Sequence, residues 1–286
     1  MSWLSKWRKR KVAASEKKTP LQKAEATLVS DTGCHRTNNQ DSGRIVHATN
    51  GAAETAGLLV VVADGMGGHK AGEVASQMAV NTVAEVYQRT RGTPGQALDV
   101  AFREAHKIIL KLATENQAMT GMGTTCTALA IVGNEAWAAH VGDSRLYLVR
   151  GNDIYQLSED DTMIGDLVRQ GLLTPEEAER HEDRNVLLRA MGTKPELSMM
   201  RWPKPMDVKR GDAFVLCSDG LHDLVKDSEM MAVVKGSSSK DACRKLVQMA
   251  RERGGYDNIT VAVIAICTNN GQPGALKDTR QVEVAQ

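Results

Sequence analysis

The chain has 286 residues, of which 42% are hydrophobic and 25% charged, an ordinary composition for a globular protein. Its longest apolar run, residues 56–63, is far shorter than the roughly 18–20 residues of a membrane-spanning helix, and no apolar segment follows the basic N-terminus as in a signal peptide. Residues 1–18 hold seven basic side chains and one acid, so the rest carries 29 Lys and Arg (36 less 7) against 34 Asp and Glu (35 less 1), a net charge of −5. A mildly acidic body with 3% aromatic residues disfavours nucleic-acid binding and suits a cation site.

The two ends of the chain differ in composition from its middle. Residues 1–22 are charged and poor in apolar side chains, which predicts a flexible basic tail, and residues 269–286 lack periodicity, which predicts a disordered polar tail. One domain over residues 23–268 is the simplest organisation. Trp3 and Trp7 would share one helical face among basic residues, so membrane contact through the first tail is an alternative to a solvated segment.

The five cysteines are odd in number, scattered along the chain and never spaced as CxxC. This pattern argues against both a disulfide framework and a zinc site. Several cysteines lie inside apolar runs, where a reduced and buried thiol is expected. The sequence therefore predicts a reducing, cytoplasmic compartment.

Runs of apolar and β-branched residues predict strands, in chain order at 57–63, 124–132, 135–141, 144–149, 213–217 and 259–266. Several runs are joined by only two or three residues, which is hairpin spacing. Parallel strands would need crossovers of about a dozen residues, so the strands are expected to pair mainly antiparallel.

Helices are predicted between these strands. In the first, Val74, Met78, Thr82 and Val86 form an apolar stripe, helped by the neighbouring residues Ala75, Ala79 and Val83. The second opens at Thr93 with a capping-box signature, which residues 174–177 repeat within the segment 158–205. A last helix is predicted from Ser239 to about Arg253. Hairpins interleaved with paired helices predict an α+β fold, with helices covering the faces of the sheets.

The first strand ends at Asp64 in a glycine-rich stretch that could cradle a phosphate. A Walker A loop needs Gly-Lys followed by Ser or Thr, but Lys70 follows a histidine and precedes an alanine. A Rossmann loop needs a glycine where Lys70 stands, so both nucleotide-binding motifs fail.

Asp64, Asp143, Asp219 and Asp257 stand at the ends of predicted strands, and Asp41 stands near the end of a turn-rich stretch. A single such residue is usually a turn residue, whereas a carboxylate at the rim of a buried strand is costly unless it is hydrogen-bonded or paired with a cation. If four of them converge, two divalent cations would match their charge. All-oxygen ligands favour Mg²⁺ or Mn²⁺ over zinc.

Five motifs carry these aspartates, and a sixth without one lies among them; in chain order the six are RTNNQD (36–41), VVADGMGGHKAGEVAS (61–76), GMGTTCTALAI (121–131, without an aspartate), HVGDSRLYLVR (140–150), LCSDGLHDLV (216–225) and GGYDNITVAVI (254–264). In this order they resemble the metal-dependent serine/threonine protein phosphatases of type 2C (PPM) in their bacterial form. The similarity spans residues 25–266, and residues 167–193 resemble the flap of that family. It implies an α-β-β-α sandwich of two mainly antiparallel sheets flanked by helices, with a flap near 158–205.

The resemblance also implies the site residues. Asp64 would bridge two metal ions, Mg²⁺ or Mn²⁺, with the Gly65 carbonyl on one of them. The remaining ligands of the pair would be Asp41, Asp219 and Asp257, and Asp143 would help Asp219 to hold a third, weaker ion. Arg36 would bind the substrate phosphate through its planar guanidinium.

The implied reaction is hydrolysis of phosphoserine and phosphothreonine by a bridging water that the metal ions activate. Its partners would be phosphoprotein substrates and a cognate bacterial serine/threonine kinase, with the enzyme a monomer. Two alternatives stay open: a phosphatase of small molecules that uses the same centre, and a signalling module that keeps the fold without activity.

Two positions depart from the family pattern. Some relatives carry a histidine, proposed as the general acid, where this chain has Met66, which cannot donate a proton. His69 lies close in sequence and is a candidate for the general acid, and a role as an ordinary loop residue is an equal alternative. Gln40 stands where many relatives have a glutamate, which weakens any charge argument beside Asp41.

Overall fold

The structure is a computed structural model that describes residues 22–47, 57–68, 71–268 and 282–284. Most of the predicted basic tail and His69 lie outside these ranges. In the described part of the chain two antiparallel sheets stack face to face, with helices on their outer faces. The predicted α-β-β-α sandwich is confirmed.

The strands are, in chain order, β1 (Gln22–Asp31), β2 (Asp41–His47), β3 (Leu58–Met66), β4 (Gly123–Thr124), β5 (Cys126–Val132), β6 (Glu135–Val141), β7 (Arg145–Arg150), β8 (Asp153–Gln156), β9 (Met200–Arg201), β10 (Met206–Asp207), β11 (Ala213–Cys217), β12 (Ile259–Thr268) and β13 (Val282–Val284). One sheet has the order β13-β1-β12-β11-β7-β8. The other has the order β10-β6-β5-β3-β2, with β4 paired to β3 and β9 to β6. Among these pairs β1 and β13 are parallel and the rest antiparallel.

The helices are α1 (Ala71–Arg89), α2 (Pro94–Glu115), α3 (Met163–Arg169), α4 (Pro175–Glu179), α5 (Asp219–His222), α6 (Asp227–Lys235) and α7 (Ser239–Glu252), with a 3₁₀ turn at Gln117–Met119. Helices α1 and α2 cover the sheet that contains β3, and α6 and α7 cover the sheet that contains β12. None of the helices in the described ranges is both long and apolar enough to cross a membrane.

The alternation of side chains along β3 decides where its last residues point. Leu59 and Val61 pack under α1 and α2, whereas Val60 and Val62 pack between the two sheets. Because side chains on a strand alternate between its faces, position 64 continues the phase of Val60 and Val62. The side chain of Asp64 therefore belongs to the face that looks toward the second sheet.

The predicted helices form, but the buried face of α1 is shifted from the predicted stripe. It runs through Ala75 and Ala79, which were predicted only to help the stripe, and through Val86 as predicted, whereas Val74 and Met78 are only half-buried. The small residues face inward because α1 packs closely against both a sheet and the neighbouring helix α2.

The described part of the predicted polar tail contains a short strand. Val282–Val284 pairs in parallel with β1, opposite Leu28 to Ser30. Two valines flanking a glutamate suit a β-strand, and the outer edge of β1 offers unpaired backbone groups. A segment of three residues is too short to show the alternation from which strands are predicted.

The first stability prediction concerns the cap of α2, where the predicted capping box is present. Thr93 Oγ1 accepts a hydrogen bond from the Gln96 amide at 3.3 Å, and Gln96 Oε1 accepts one from the Thr93 amide at 3.0 Å. We expect Thr93→Ala to lower the free energy of unfolding by about 1 kcal/mol in urea titrations. Thr114→Ala is the control, because that hydroxyl only donates to carbonyls of its own helix, and it should change stability by less than about 0.5 kcal/mol.

Candidate metal centre

Asp41 and Asp64 come together through strand register. They are direct partners in the antiparallel pair β2–β3. Cross-strand partners point to the same face with their Cβ atoms about 4.5–5.5 Å apart. Both carboxylates therefore lie at one end of the sandwich, on the face that looks toward the second sheet.

Asp219 and Asp257 come from that second sheet. Asp219 begins α5 directly after β11, and Asp257 lies two residues before β12, which pairs with β11. Gly220 allows this close approach, since a Cβ atom there would collide with the carbonyl of Asn258. The site is thus built from both sheets, and Asp143 adds a carboxylate from the turn that joins β6 of one sheet to β7 of the other.

Buried hydroxyl groups hold this arrangement in place. Ser218 Oγ donates to Asp41 Oδ2 at 2.6 Å and accepts from the Thr260 amide at 3.0 Å. Thr125 Oγ1 accepts from the Asp64 amide at 2.8 Å, and Thr124 Oγ1 donates to the Asp64 carbonyl at 2.8 Å. Sequence reasoning missed Ser218, Thr124 and Thr125, although Ser218 directly precedes the candidate Asp219 and the two threonines lie at the start of a predicted strand.

Two carboxylate oxygens at this site are buried without a hydrogen-bond partner in the described structure, Asp41 Oδ1 and Asp219 Oδ1. Unpaired buried oxygens of acidic groups are costly, and a divalent cation is the partner that suits them. Among the described residues, no three His, Cys, Asp or Glu side chains are grouped tightly enough to hold one ion alone. A cation here would take its other oxygens from backbone carbonyls and water, as Mg²⁺ commonly does.

The carboxylates raise one another's pKa. Burial, followed by the charges of Asp219 and Asp257, raises the pKa of Asp41 to about 7, against the hydrogen bond from Ser218. Burial is also the largest cause of the raised pKa of Asp64, Asp143 and Asp219, with repulsion from neighbouring aspartates next among the raising causes. Carboxyl groups held this close resist ionising together without a cation.

This electrostatic strain leads to a prediction for the metal-free protein. The pKa of Asp41 rises from 3.8 in its reference state to about 7 in the folded protein. At pH values between these two, the folded chain therefore binds more protons than the unfolded chain. Stability should therefore fall as the pH rises from about 4 to about 7. In thermal melts with EDTA, Tm should be lower at pH 8 than at pH 6, and the rise in Tm on adding Mn²⁺ should be larger at pH 8. An equal rise at both pH values would contradict this.

Arg36 lies at the rim of the site. Its guanidinium donates to Asp257 Oδ2 at 2.7 Å, and half of its side chain is exposed to solvent. The hydrogen bond to Asp257 is the largest cause of the raised pKa of Arg36, and the charges of Asp219 and Asp64 add to it. A guanidinium at this place can meet an anion that approaches the carboxylates from solvent.

The glycine-rich turn after Asp64 is packed tightly. Gly65 lies so close to the carbonyl of Gly72 that a Cβ atom would collide with it, and its amide donates to the Gln40 carbonyl at 3.0 Å. The Gln40 amide in turn donates to Asn258 Oδ1 at 2.8 Å, which links the turn to the second sheet. Met66 is half-buried and pairs with Gly123 across β3 and β4.

The flap is fastened to the body by an ion pair and braced by another within itself. Arg145 on β7 holds Asp160 at 2.7 Å, and inside the flap Arg189 holds Asp161 at 2.8 Å. The Asp161 side chain also accepts from the Gly142 amide at 3.1 Å, beside Asp143. Helix α4 has the capping box predicted at residues 174–177, whereas α3 was not predicted, since no Glu or Gln follows its cap Thr162 at the capping-box position.

The cysteines also match expectation. All five are free thiols, three of them buried in the core and two, Cys34 and Cys267, exposed. Burial raises the pKa of the Cys126, Cys217 and Cys243 thiols, so none of these three is a reactive thiolate.

Comparison with known proteins gives the family. The sequence profile "Protein phosphatase 2C" matches residues 35–260. Protein phosphatase PhpP of Streptococcus pneumoniae serotype 2 (strain D39) is 36% identical over 253 residues, which cover 85% of this chain and 97% of that protein.

Solved structures agree with the sequence comparison. The serine/threonine phosphatase PstP/Ppp of Mycobacterium tuberculosis superposes with a TM-score of 0.75 at 35% identity, over 85% of this chain and 98% of that one. The catalytic domain of PstP in complex with two manganese ions gives a TM-score of 0.74 at 34% identity, over 86% and 99% of the two chains. The chain is a member of the protein phosphatase 2C family, the metal-dependent phosphoprotein phosphatases.

Proposed function

We propose that this enzyme hydrolyses phosphoserine and phosphothreonine in proteins, using Mg²⁺ or Mn²⁺ bound at the aspartate cluster. The observation that carries the proposal is the pair of buried, unpartnered oxygens on Asp41 and Asp219, which come from different sheets and repel each other, with Arg36 close enough to Asp219 to feel its charge. The complex of PstP with two manganese ions supports the choice of metal.

The ligand roles in the proposal follow the placement of the side chains. Asp64 would be the ligand shared by two ions, and its electrostatic interaction with each of the other four aspartates supports a central place in the cluster. The Gly65 carbonyl, Asp41, Asp219 and Asp257 would supply the remaining ligands of the pair. Asp143, whose carboxylate interacts with Asp219, would help to hold a third and weaker ion.

In the reaction, the bound ions supply Lewis-acid activation of water and neutralise charge on the phosphate. Arg36 turns its guanidinium from Asp257 toward two phosphate oxygens and orients the phosphorus for attack. Ser218 and Thr125 fix Asp41 and Asp64, so the carboxylates need little reorganisation when the substrate binds. Met66 cannot donate a proton, so the leaving hydroxyl takes its proton from solvent or from another side chain.

The biological role in the proposal is reversal of a bacterial serine/threonine kinase in the cytoplasm. The support comes from relatives that are named serine/threonine phosphatases, and from five free thiols, which suit a reducing compartment.

A direct test compares substrates under matched conditions. With Mn²⁺ or Mg²⁺ present, kcat/KM for a phosphothreonine peptide should exceed that for glucose 6-phosphate or AMP by at least about tenfold, since a peptide contacts the rim as well as the phosphate. The reverse order would favour a small-molecule phosphatase. No turnover of any substrate would favour the non-catalytic module.

A further inference from the structure

Two tripeptides at the mouth of the metal centre, residues 34–36 and 255–257, run side by side. They contact each other at three successive levels. The contacts are the Cys34 amide to the Gly255 carbonyl (2.8 Å), the rings of His35 and Tyr256 (centroids 5.2 Å apart, planes at 35°), and the Arg36 guanidinium to Asp257 (2.7 Å). An aromatic pair therefore stands one residue away from the ion pair proposed to meet phosphate and metal.

The ring of Tyr256 is exposed, and its position depends on the backbone of Gly254. Tyr256 is 63% exposed and is the one aromatic among the large exposed apolar side chains of the described residues. Its ring lies over Gly254, which has a φ of 120°, and a Cβ atom at Gly254 would collide with the ring. A glycine in this conformation holds the ring against His35 while leaving it open to solvent.

The charges around this pair are already balanced. Arg36 is paired with Asp257, and Arg251, whose carbonyl contacts Cys34, is paired with Asp31 at 2.7 Å. What the pair offers a ligand is therefore an apolar ring face with a polar tip, which is typical of recognition surfaces.

We infer that His35 and Tyr256 form a shelf that contacts the substrate residue next to the phosphorylated one and selects an apolar side chain there. The inference rests on the proposed function and deepens it. Consecutive Cα atoms are about 3.8 Å apart, close to the roughly 3.3 Å advance per residue of an extended peptide. When Arg36 binds the phosphate, the shelf one step away thus meets the next residue of the substrate.

The test uses two phosphothreonine peptides that differ only in the residues flanking the phosphothreonine, leucine in one and serine in the other. The selectivity is the ratio of their kcat/KM values with Mn²⁺-loaded enzyme. The wild type should prefer the leucine peptide, and Tyr256→Ala should lower the ratio roughly fivefold, mainly through a higher KM for the leucine peptide. Tyr256→Phe keeps the ring and should retain most of the preference.

The matched control is Val100→Ala, which truncates an apolar side chain that is 46% exposed on α2. That variant should keep the wild-type ratio. If the wild type and Tyr256→Ala hydrolyse both peptides with the same ratio, the shelf is refuted while the proposed function stands. If the wild type hydrolyses neither peptide, the proposed function fails, and the inference fails with it.

Discussion

Asp219→Asn is expected to reduce Mn²⁺-dependent hydrolysis of p-nitrophenyl phosphate by at least about 10³-fold in kcat while leaving the fold intact. Asparagine has the shape of aspartate but lacks the charge that a divalent cation needs. The loss of several kcal/mol of charge stabilisation corresponds to a rate factor of this size. Asp219 has, like Asp41, a buried oxygen without a hydrogen-bond partner in the described structure, so the substitution acts directly on a group proposed to hold the cation.

Stability measurements separate this effect from unfolding. Burial, with repulsion from neighbouring carboxylates, raises the pKa of Asp219, so removing its charge should leave Tm in EDTA at pH 8 unchanged or higher. Mn²⁺ should then raise Tm much less than it does in the wild type. Asp227→Asn is the control, because Asp227 begins α6 as Asp219 begins α5 but is exposed. Full activity of Asp219→Asn would refute its role as a metal ligand.

Arg36→Ala is expected to raise KM for a phosphothreonine peptide roughly 10- to 100-fold, which is the effect of losing charge-assisted hydrogen bonds to phosphate. The structure adds a second expectation, because Arg36 occupies Asp257 Oδ2 at 2.7 Å. Without Arg36 this oxygen is free for a cation. Calorimetric titration with Mn²⁺ should therefore show equal or tighter binding in the variant, even as its affinity for substrate falls.

Arg36→Lys is the matched variant for this experiment. Lysine keeps the charge but cannot form the paired hydrogen bonds of a guanidinium, so KM should lie between those of the wild type and Arg36→Ala. An unchanged KM in Arg36→Ala would show that another group binds the phosphate. Weaker Mn²⁺ binding would show that Arg36 orients Asp257 for the metal and does not compete with it.

The sequence predicted most of the strands and helices whose signals lie within the element itself. Strands β6 and β11 coincide with the predicted runs 135–141 and 213–217, helix α2 begins after its predicted cap Thr93, and helix α7 begins at the predicted Ser239. These elements have continuous apolar patterns and clear end signals. Asp64, Asp143, Asp219 and Asp257 were found because each follows or precedes such a run, and Asp41 because it ends a turn-rich motif.

Features that depend on distant parts of the chain were not predicted. Strands β1 and β2 mix polar and apolar residues without strict alternation, so their pattern is weak. The bond from Ser218 to Asp41 spans 177 residues, and the ring pair of His35 and Tyr256 joins opposite ends of the domain. In the sequence these residues look like ordinary strand and loop positions, and only the packing of two sheets gives them their partners.

The division of the aspartates between the two sheets has a consequence for how the protein opens. Asp41 and Asp64 belong to one layer, and Asp219 and Asp257 to the other, so neither layer alone can form the proposed metal site. A bound cation would have ligands from both layers and would bind only while the two layers are packed together. Amide protons that exchange with solvent through separation of the layers should therefore exchange more slowly with metal bound, whereas those that exchange through fraying of a helix end should keep their rates.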